Sequence, residues 1–384
     1  MKVTTDAFPI AGACDPRFEP VRDAFAENFR QGLDVGASVA VTIDGELAVD
    51  LWGGAADAGR TTPWAPDTLV GVFSTTKTMT ALTALWLADQ GALDLEAPVA
   101  RYWPEFAASG KSQVKVRHLL GHTAGLPGWD EPLRFEDLFD WDKCCGLLAA
   151  QAPWWEPGTA SGYHAITQGF LIGEVVRRIT GQTLGTVFAR EIAEPLGGGF
   201  HVGLPEALDG KVSLGIPPAT PETPLGGPDS MGMRVHLNPG LPRERTWEIP
   251  WRRAEIPAGN GFGNARSIAR IQSLLACGGE VGGRRLMSHA GCEAVLRQQS
   301  DGIDLVVLAP IRFGLGYALS SLGMPVPRNG RICLWGGSGG SLIVVDFERR
   351  MTFAYAMNQL QGSPFGDPRG QALVAALYRS LQAA

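Results

Sequence analysis

Val70-Gly71-Val72-Phe73-Ser74-Thr75-Thr76-Lys77-Thr78-Met79-Thr80 joins a short apolar run to a long helical pattern. Met79, Leu82, Leu85 and Trp86 predict one apolar stripe along that helix. Ser74 stands at the junction, a position where serine also serves as a helix cap. Lys77 follows three residues later, so both side chains leave the same face of the first turn. A serine hydroxyl is a weak nucleophile at neutral pH and needs a base, and a partly desolvated lysine amine is one.

A second Ser-x-x-Lys, Ser112-Gln113-Val114-Lys115, follows Gly110 and Lys111. It predicts a solvated turn entering a short extended segment through Val114 and Val116. Only the Ser74 copy opens a periodic helix.

The 384 residues suffice for two domains or for one domain with a large insertion. Hydrophobic residues make up 45% and charged residues 19%, which favours a sizeable core over disorder. The net charge of −6 contains no block of like charges, so neither nucleic acid nor an anionic membrane surface is expected as a partner. Met1-Lys2-Val3-Thr4-Thr5-Asp6 contains no apolar core of a signal peptide, and no apolar run reaches bilayer length. The six cysteines (Cys14, Cys144, Cys145, Cys277, Cys292, Cys333) lack Cys-x-x-Cys spacing. They read as reduced, mostly buried thiols of a cytoplasmic protein, with Cys144 and Cys145 at helix-packing positions.

A helix is expected over 18–31, then a hairpin through Val39, Val41 and Ile43, an Asp44-Gly45 turn, and Leu47, Val49 and Leu51. The Ser74 helix closes near Gly91. Further helices carry Ile166, Phe170 and Val176, then Leu184, Phe188 and Ile192, then Ala265, Ile268, Ile271 and Leu275. Between them, 202–260 is rich in Pro and Gly and carries Trp247 and Trp251. A loop of that length predicts a functional cover, here over an acyl pocket. Strands are expected at 313–319, 331–335, 341–347 and 351–357. A last helix starts at Asp367-Pro368. Both chain ends thus predict one α/β domain (1–95 with 290–384), with a mainly helical domain inserted over 96–289.

A Ser/Lys pair needs a proton relay and two oxyanion donors. Tyr163, just after the Trp154-Trp155-Glu156-Pro157-Gly158 turn, is the candidate relay, and a lysine ammonium beside it is expected to lower the phenol pKa. Leu334-Trp335-Gly336-Gly337-Ser338-Gly339-Gly340-Ser341 lies between two strands, and its four glycines let backbone N–H groups approach a ligand. One of these N–H groups, with that of Ser74, would hold the oxyanion. His118 and His122 have helical spacing, but Leu119 stands where a zinc peptidase needs Glu, so they predict a structural turn. Gly336-Gly337-Ser338-Gly339-Gly340 also fits Gly-x-Ser-x-Gly. An α/β-hydrolase elbow needs a following helix and a later histidine, whereas a strand follows and the histidines end at His289.

Taken in order, Ser74-Thr75-Thr76-Lys77, the Arg117–Pro127 stretch, Tyr163 and Trp335-Gly336-Gly337 resemble the serine β-lactamase and penicillin-binding-protein superfamily. The likeness runs from about residue 18 to 381, on the class C side, and is strongest to family VIII carboxylesterases. It implies a β-lactamase-like α/β fold of the α+β type, with an antiparallel sheet flanked by terminal helices beside a helical domain. It implies Ser74 as acylated nucleophile, Lys77 as base, and Tyr163 as donor to the leaving group. The N–H groups of Ser74 and Ser338 would form the oxyanion hole, and no metal or cofactor is implied. Trp335, Gly336, Gly337, Trp247 and Trp251 are the expected substrate contacts. Relatives carry Asn where this chain has Ala165 and Lys where it has Trp335, groups that help bind a β-lactam. The expected activity is therefore hydrolysis of short acyl esters, small molecules, with weak β-lactamase activity at most. The rivals are a β-lactamase or peptidase, an acyltransferase, and a catalytically silent penicillin-binding sensor. The chain carries no signal for oligomeric state.

Overall fold

The structure, a computed structural model, describes residues 9–218, 226–319, 323–328, 330–362 and 367–382. The expectation drawn from Met1–Asp6, and part of the 202–260 loop, lie outside the described residues.

Six antiparallel strands form the main sheet: β1 (Ala11–Cys14), β2 (Gly36–Ile43), β3 (Glu46–Gly54), β4 (Ile332–Gly336), β5 (Leu342–Asp346) and β6 (Met351–Met357), in the order β1-β3-β2-β6-β5-β4. The expected hairpin is β2–β3, and its turn holds Asp44 at φ 50 and Gly45 at φ 85. The register sends alternate side chains to two separate cores. Val39, Val41, Phe353 and Tyr355 meet Phe18, Val21, Phe25, Leu373 and Leu377. Those belong to the N-terminal turn, to helix α1 (Glu19–Arg30) and to the C-terminal helix (Pro368–Gln382).

On the opposite face lie Ala40, Ala354 and Ala356. Their small size admits the helix Ala265–Ala276, whose Ala269 carbonyl accepts from Thr352 Oγ1 at 3.0 Å and whose Ala265 N–H donates to Ser38 Oγ at 3.1 Å. This helix packs on the sheet, although it falls within the 96–289 stretch expected as the helical insertion.

The helix after Ser74, α2 (Thr76–Asp89), carries no single apolar stripe. Every residue from Thr76 to Leu85 is buried, because the helix is packed among the helices Thr167–Thr180, Leu184–Phe188 and His289–Glu293. Thr78 and Thr83 turn their hydroxyls back on the carbonyls of Thr75 and Met79, at 2.7 and 2.8 Å, while Thr80 donates outward to Pro257 O. The strand before Ser74, Leu69–Gly71, joins a second sheet with Val212–Ser213, Gly261–Gly263 and His201–Val202. Strands of two or three residues leave no period to read, so this sheet is invisible in the sequence.

Two expected strands differ. At 313–319 the strand is Pro310–Phe313, paired with Ser300–Ile303, and the chain then turns through Gly316 at φ 86. Only Ala318 bridges back, to Phe313 and Leu334. After the second Ser-x-x-Lys the chain forms a short helix, Val116–Leu120, in place of an extended segment. Ser112 is exposed there, on a turn.

Candidate active site

Ser74 sits in a 3₁₀ turn, Phe73–Thr75, that leads into α2. Phe73 adopts φ 45, a strained value for a side chain of that size, and the surrounding backbone holds it there. Val72 N–H donates to Gly261 O at 2.9 Å, and Gly261 N–H donates to Thr76 Oγ1 at 2.8 Å. The Ser74 hydroxyl is not a helix cap. It meets two other side chains.

Lys77, 1% exposed, places Nζ 3.1 Å from Ser74 Oγ and donates to the carbonyls of Ala165 and Ala258 at 2.7 Å each. Burial alone pushes its pKa well below the ordinary 10.5. A neutral amine has two N–H bonds and one lone pair. In that form the two carbonyls would take the N–H bonds and leave the lone pair for the Ser74 hydroxyl, whose Oγ lies 3.1 Å away. That is the arrangement a general base requires.

Tyr163 donates its hydroxyl to Ser74 Oγ at 2.7 Å. The expected depression of its pKa is overturned. Burial raises it well above 10, while the bonds with Ser74 and Trp335 pull less strongly the other way. Burial disfavours the Lys77 ammonium on which the expected depression relied. Tyr163 is thus a neutral phenol, able to give a proton. Asp304, fully buried, fixes its backbone by accepting from Tyr163 N–H at 3.0 Å and from Val306 and Val307 at 3.0 and 2.9 Å. No local pattern in the sequence marks Asp304, 141 residues away.

Trp335, 1% exposed, packs its ring 5.3 Å from Tyr163 and 5.6 Å from Phe313. Behind them His122, at φ 58, accepts from His164 N–H at 3.1 Å through Nδ1. His118 accepts from Lys115 N–H at 3.2 Å, and burial lowers its pKa to about 4. The two imidazoles thus serve separate backbone turns.

The Gly-rich segment is the β4–β5 turn. Gly337 lies against Val72, where a Cβ would fall 2.0 Å from the carbonyl oxygen, so only glycine permits this approach. Ser341 Oγ donates to Val72 O at 2.8 Å and lies 2.9 Å from Thr75 Oγ1, tying the turn to the nucleophile. The segment runs strand–turn–strand, unlike an α/β-hydrolase elbow. Arg243, from the long loop, donates to the Ser338 hydroxyl and stacks 4.7 Å from the Phe73 ring centroid. No signal in the sequence marks Arg243, which lies in a segment without periodicity.

These groups open on a cavity of about 280 Å³ lined by Ser74, Tyr163, Trp335, Gly336 and Ser338. The long loop supplies much of the remaining wall, including Val235, Pro239, Leu241 and Trp251. Gly337 and Trp247 do not line it. Trp247 instead faces a separate 20 Å³ space, and Trp251 is among the residues forming the wall between the two. Substituting Trp251 by Ala is therefore expected to shift the preferred acyl group to longer chains, measured across a p-nitrophenyl ester series. Truncating this buried side chain, which stacks on Phe135, would also cost about 3–5 kcal/mol in stability. Trp247→Ala should leave the chain-length profile unchanged, and a shifted profile would place Trp247 in the acyl site after all.

The sequence matches the beta-lactamase family over residues 25–377. It is 37% identical over 364 residues to the esterase/beta-lactamase LipL of Mycobacterium tuberculosis, covering 91% of this chain and 83% of that protein. Among solved structures, a family VIII carboxylesterase superposes with a TM-score of 0.91 at 43% identity, over 97% of this chain and all (100%) of that one. A penicillin-binding protein homolog from Caulobacter crescentus gives 0.90 at 38% identity, with 97% and 100% covered. With a lysine-facing serine at the mouth of an apolar cavity and these relatives along nearly its whole length, the chain belongs to the beta-lactamase family and is a serine hydrolase.

Proposed function

We propose that this chain is a carboxylesterase hydrolysing short acyl esters through an acyl-enzyme on Ser74. The observation that carries this reading is the buried Lys77 amine 3.1 Å from Ser74 Oγ, with the Tyr163 hydroxyl 2.7 Å from the same oxygen, in a largely apolar cavity. Ser74 Oγ attacks the ester carbonyl carbon while its proton passes to Lys77 Nζ. The carbonyl electron pair moves onto oxygen, held by the N–H groups of Ser74 and Ser338. On collapse the C–O bond to the alcohol breaks. Tyr163 protonates the departing oxygen, and Lys77 restores the phenol. Water then repeats the sequence with Ser74 as leaving group. The six unpaired thiols favour a reducing, cytoplasmic setting. Among the described residues, no helix is long and apolar enough to cross a membrane.

A β-lactamase reading has one observation in its favour: Arg243 brings a guanidinium to Ser338, and guanidinium binds carboxylates well. Against it, the position of the relatives' lysine is filled by the buried indole of Trp335, and Ala165 offers only its carbonyl, already bonded to Lys77. The expected result is efficient turnover of p-nitrophenyl acetate or butyrate, slow hydrolysis of nitrocefin, and negligible hydrolysis of benzylpenicillin. A kcat/KM for benzylpenicillin above that for p-nitrophenyl butyrate would reverse the choice.

A further inference from the structure

Arg369, at the start of the C-terminal helix, is 0% exposed. Its guanidinium spends every N–H. Nε and Nη2 grip Asp367, at 3.1 and 2.6 Å. Nη1 donates to Asp34 at 2.9 Å and to Gln359 O at 2.8 Å. The remaining Nη2 hydrogen reaches the carbonyl of Gly339, at 2.8 Å. Gly339 is the residue after Ser338, and its carbonyl also accepts from Gln361 N–H at 3.0 Å.

A buried ion cluster is an expensive way to stabilise a fold, since apolar side chains of similar volume often do as well or better. What apolar packing does not supply is a directed donor that fixes one carbonyl. The turn has need of one. Gly339 and Gly340 adopt φ 96 and φ 124, where glycine is freest to move. Gly340 packs so closely on the cluster that a Cβ would fall 2.2 Å from Asp367 Oδ2 and 2.5 Å from Arg369 Nη2. On its other side the turn is tied through Ser341 to Val72. The turn that carries Ser338 is thus held between the nucleophile segment in front and the Arg369 guanidinium behind.

We propose that Arg369 is a positioning residue for the oxyanion turn: by fixing the Gly339 carbonyl it orients the Ser338 N–H toward the oxygen that becomes negative during acylation. The inference rests on the proposed role of the Ser338 N–H. It predicts a loss in transition-state stabilisation that exceeds any loss in substrate binding, because the guanidinium touches no substrate. Removing one oxyanion donor costs about 10²–10³ in kcat, and misaiming one costs less, about 10–100-fold.

The test compares Arg369→Lys and Arg369→Gln with the unaltered enzyme, after active-site titration with a fluorophosphonate so that rates refer to folded sites. The expected result for p-nitrophenyl butyrate is a kcat per titrated site lowered about 10–100-fold, with KM within about twofold. The second-order rate of fluorophosphonate labelling should fall by a similar factor. Because labelling reports on Ser74 and the oxyanion turn whatever the natural substrate, an enzyme that hydrolyses no ester would sink the esterase reading and still test this one. Should both variants fail to fold, Asp367→Asn removes the charge that orients Nη2 and should give the same pattern in milder form. A lowered melting temperature with unchanged per-site kcat and labelling rate would make Arg369 purely structural and overturn the proposal.

Discussion

Ser74→Ala is expected to lower ester hydrolysis by about 10⁴-fold or more, since removing a nucleophile leaves only binding and oxyanion contacts. The expectation follows from what meets the hydroxyl. Ser74 Oγ is within hydrogen-bond reach of both Lys77 and Tyr163, at 3.1 and 2.7 Å. Ser112 lies exposed on a turn, and the Ser338 hydroxyl is engaged by Arg243. Ser112→Ala and Ser338→Ala should therefore keep most of the activity, the latter because only its peptide N–H is given a role. Mass spectrometry after organophosphate treatment identifies the labelled residue directly. A label on Ser338 would contradict the assignment.

The second large effect is expected from Lys77 and Tyr163, which act on one oxygen. Lys77→Ala and Tyr163→Phe should each lower kcat at least about a hundredfold, the usual size of acid–base contributions. The double variant should be little worse than either single one, because groups that act as a unit lose activity non-additively. The sign of the pH dependence follows from the protonation states. Lys77 accepts a proton only as the neutral amine, so kcat rises with pH as its ammonium deprotonates. Burial sets that step well below 10.5, and activity is lost on acidification through it. Tyr163 donates only as the phenol, and burial keeps it protonated beyond pH 10. The plateau should therefore extend into mildly alkaline solution. Lys77→Arg should not restore activity, since guanidinium does not give up its proton. Additive losses in the double variant, or an alkaline limb near neutral pH, would count against this pairing.

Several devices of the site were legible because they are local. Helical spacing alone puts Ser74 and Lys77 on one face, and a Gly-rich turn between two apolar runs predicts a close backbone approach. The Asp44-Gly45 hairpin, the helix after Gly261-Phe262-Gly263 and the Pro368 helix start are of the same kind. The short strands around Ser74 escaped because two or three residues carry no period. The strand expected over 313–319 failed because tertiary contacts, through Ala318 to Leu334, turned an apolar run back on itself.

The chain by itself determined which residues could do chemistry: a serine, a lysine three positions on, a tyrosine after a Pro-Gly turn, and a glycine-rich hairpin. Only the tertiary structure decided their chemical state. Burial pushes the Lys77 pKa well below 10.5, and the segments that bury it, around Ala165 and Ala258, lie 88 and 181 residues away. Burial raises the Tyr163 pKa well above 10, with the rings of Trp335 and His122 packed 5.3 and 5.1 Å from its own. Arg243, Asp304 and Arg369 come to the site from loops and a helix that no spacing rule connects to Ser74. The reason is physical. Side-chain direction is set by a few neighbouring dihedrals, whereas desolvation is set by whatever distant segments the fold packs around the group.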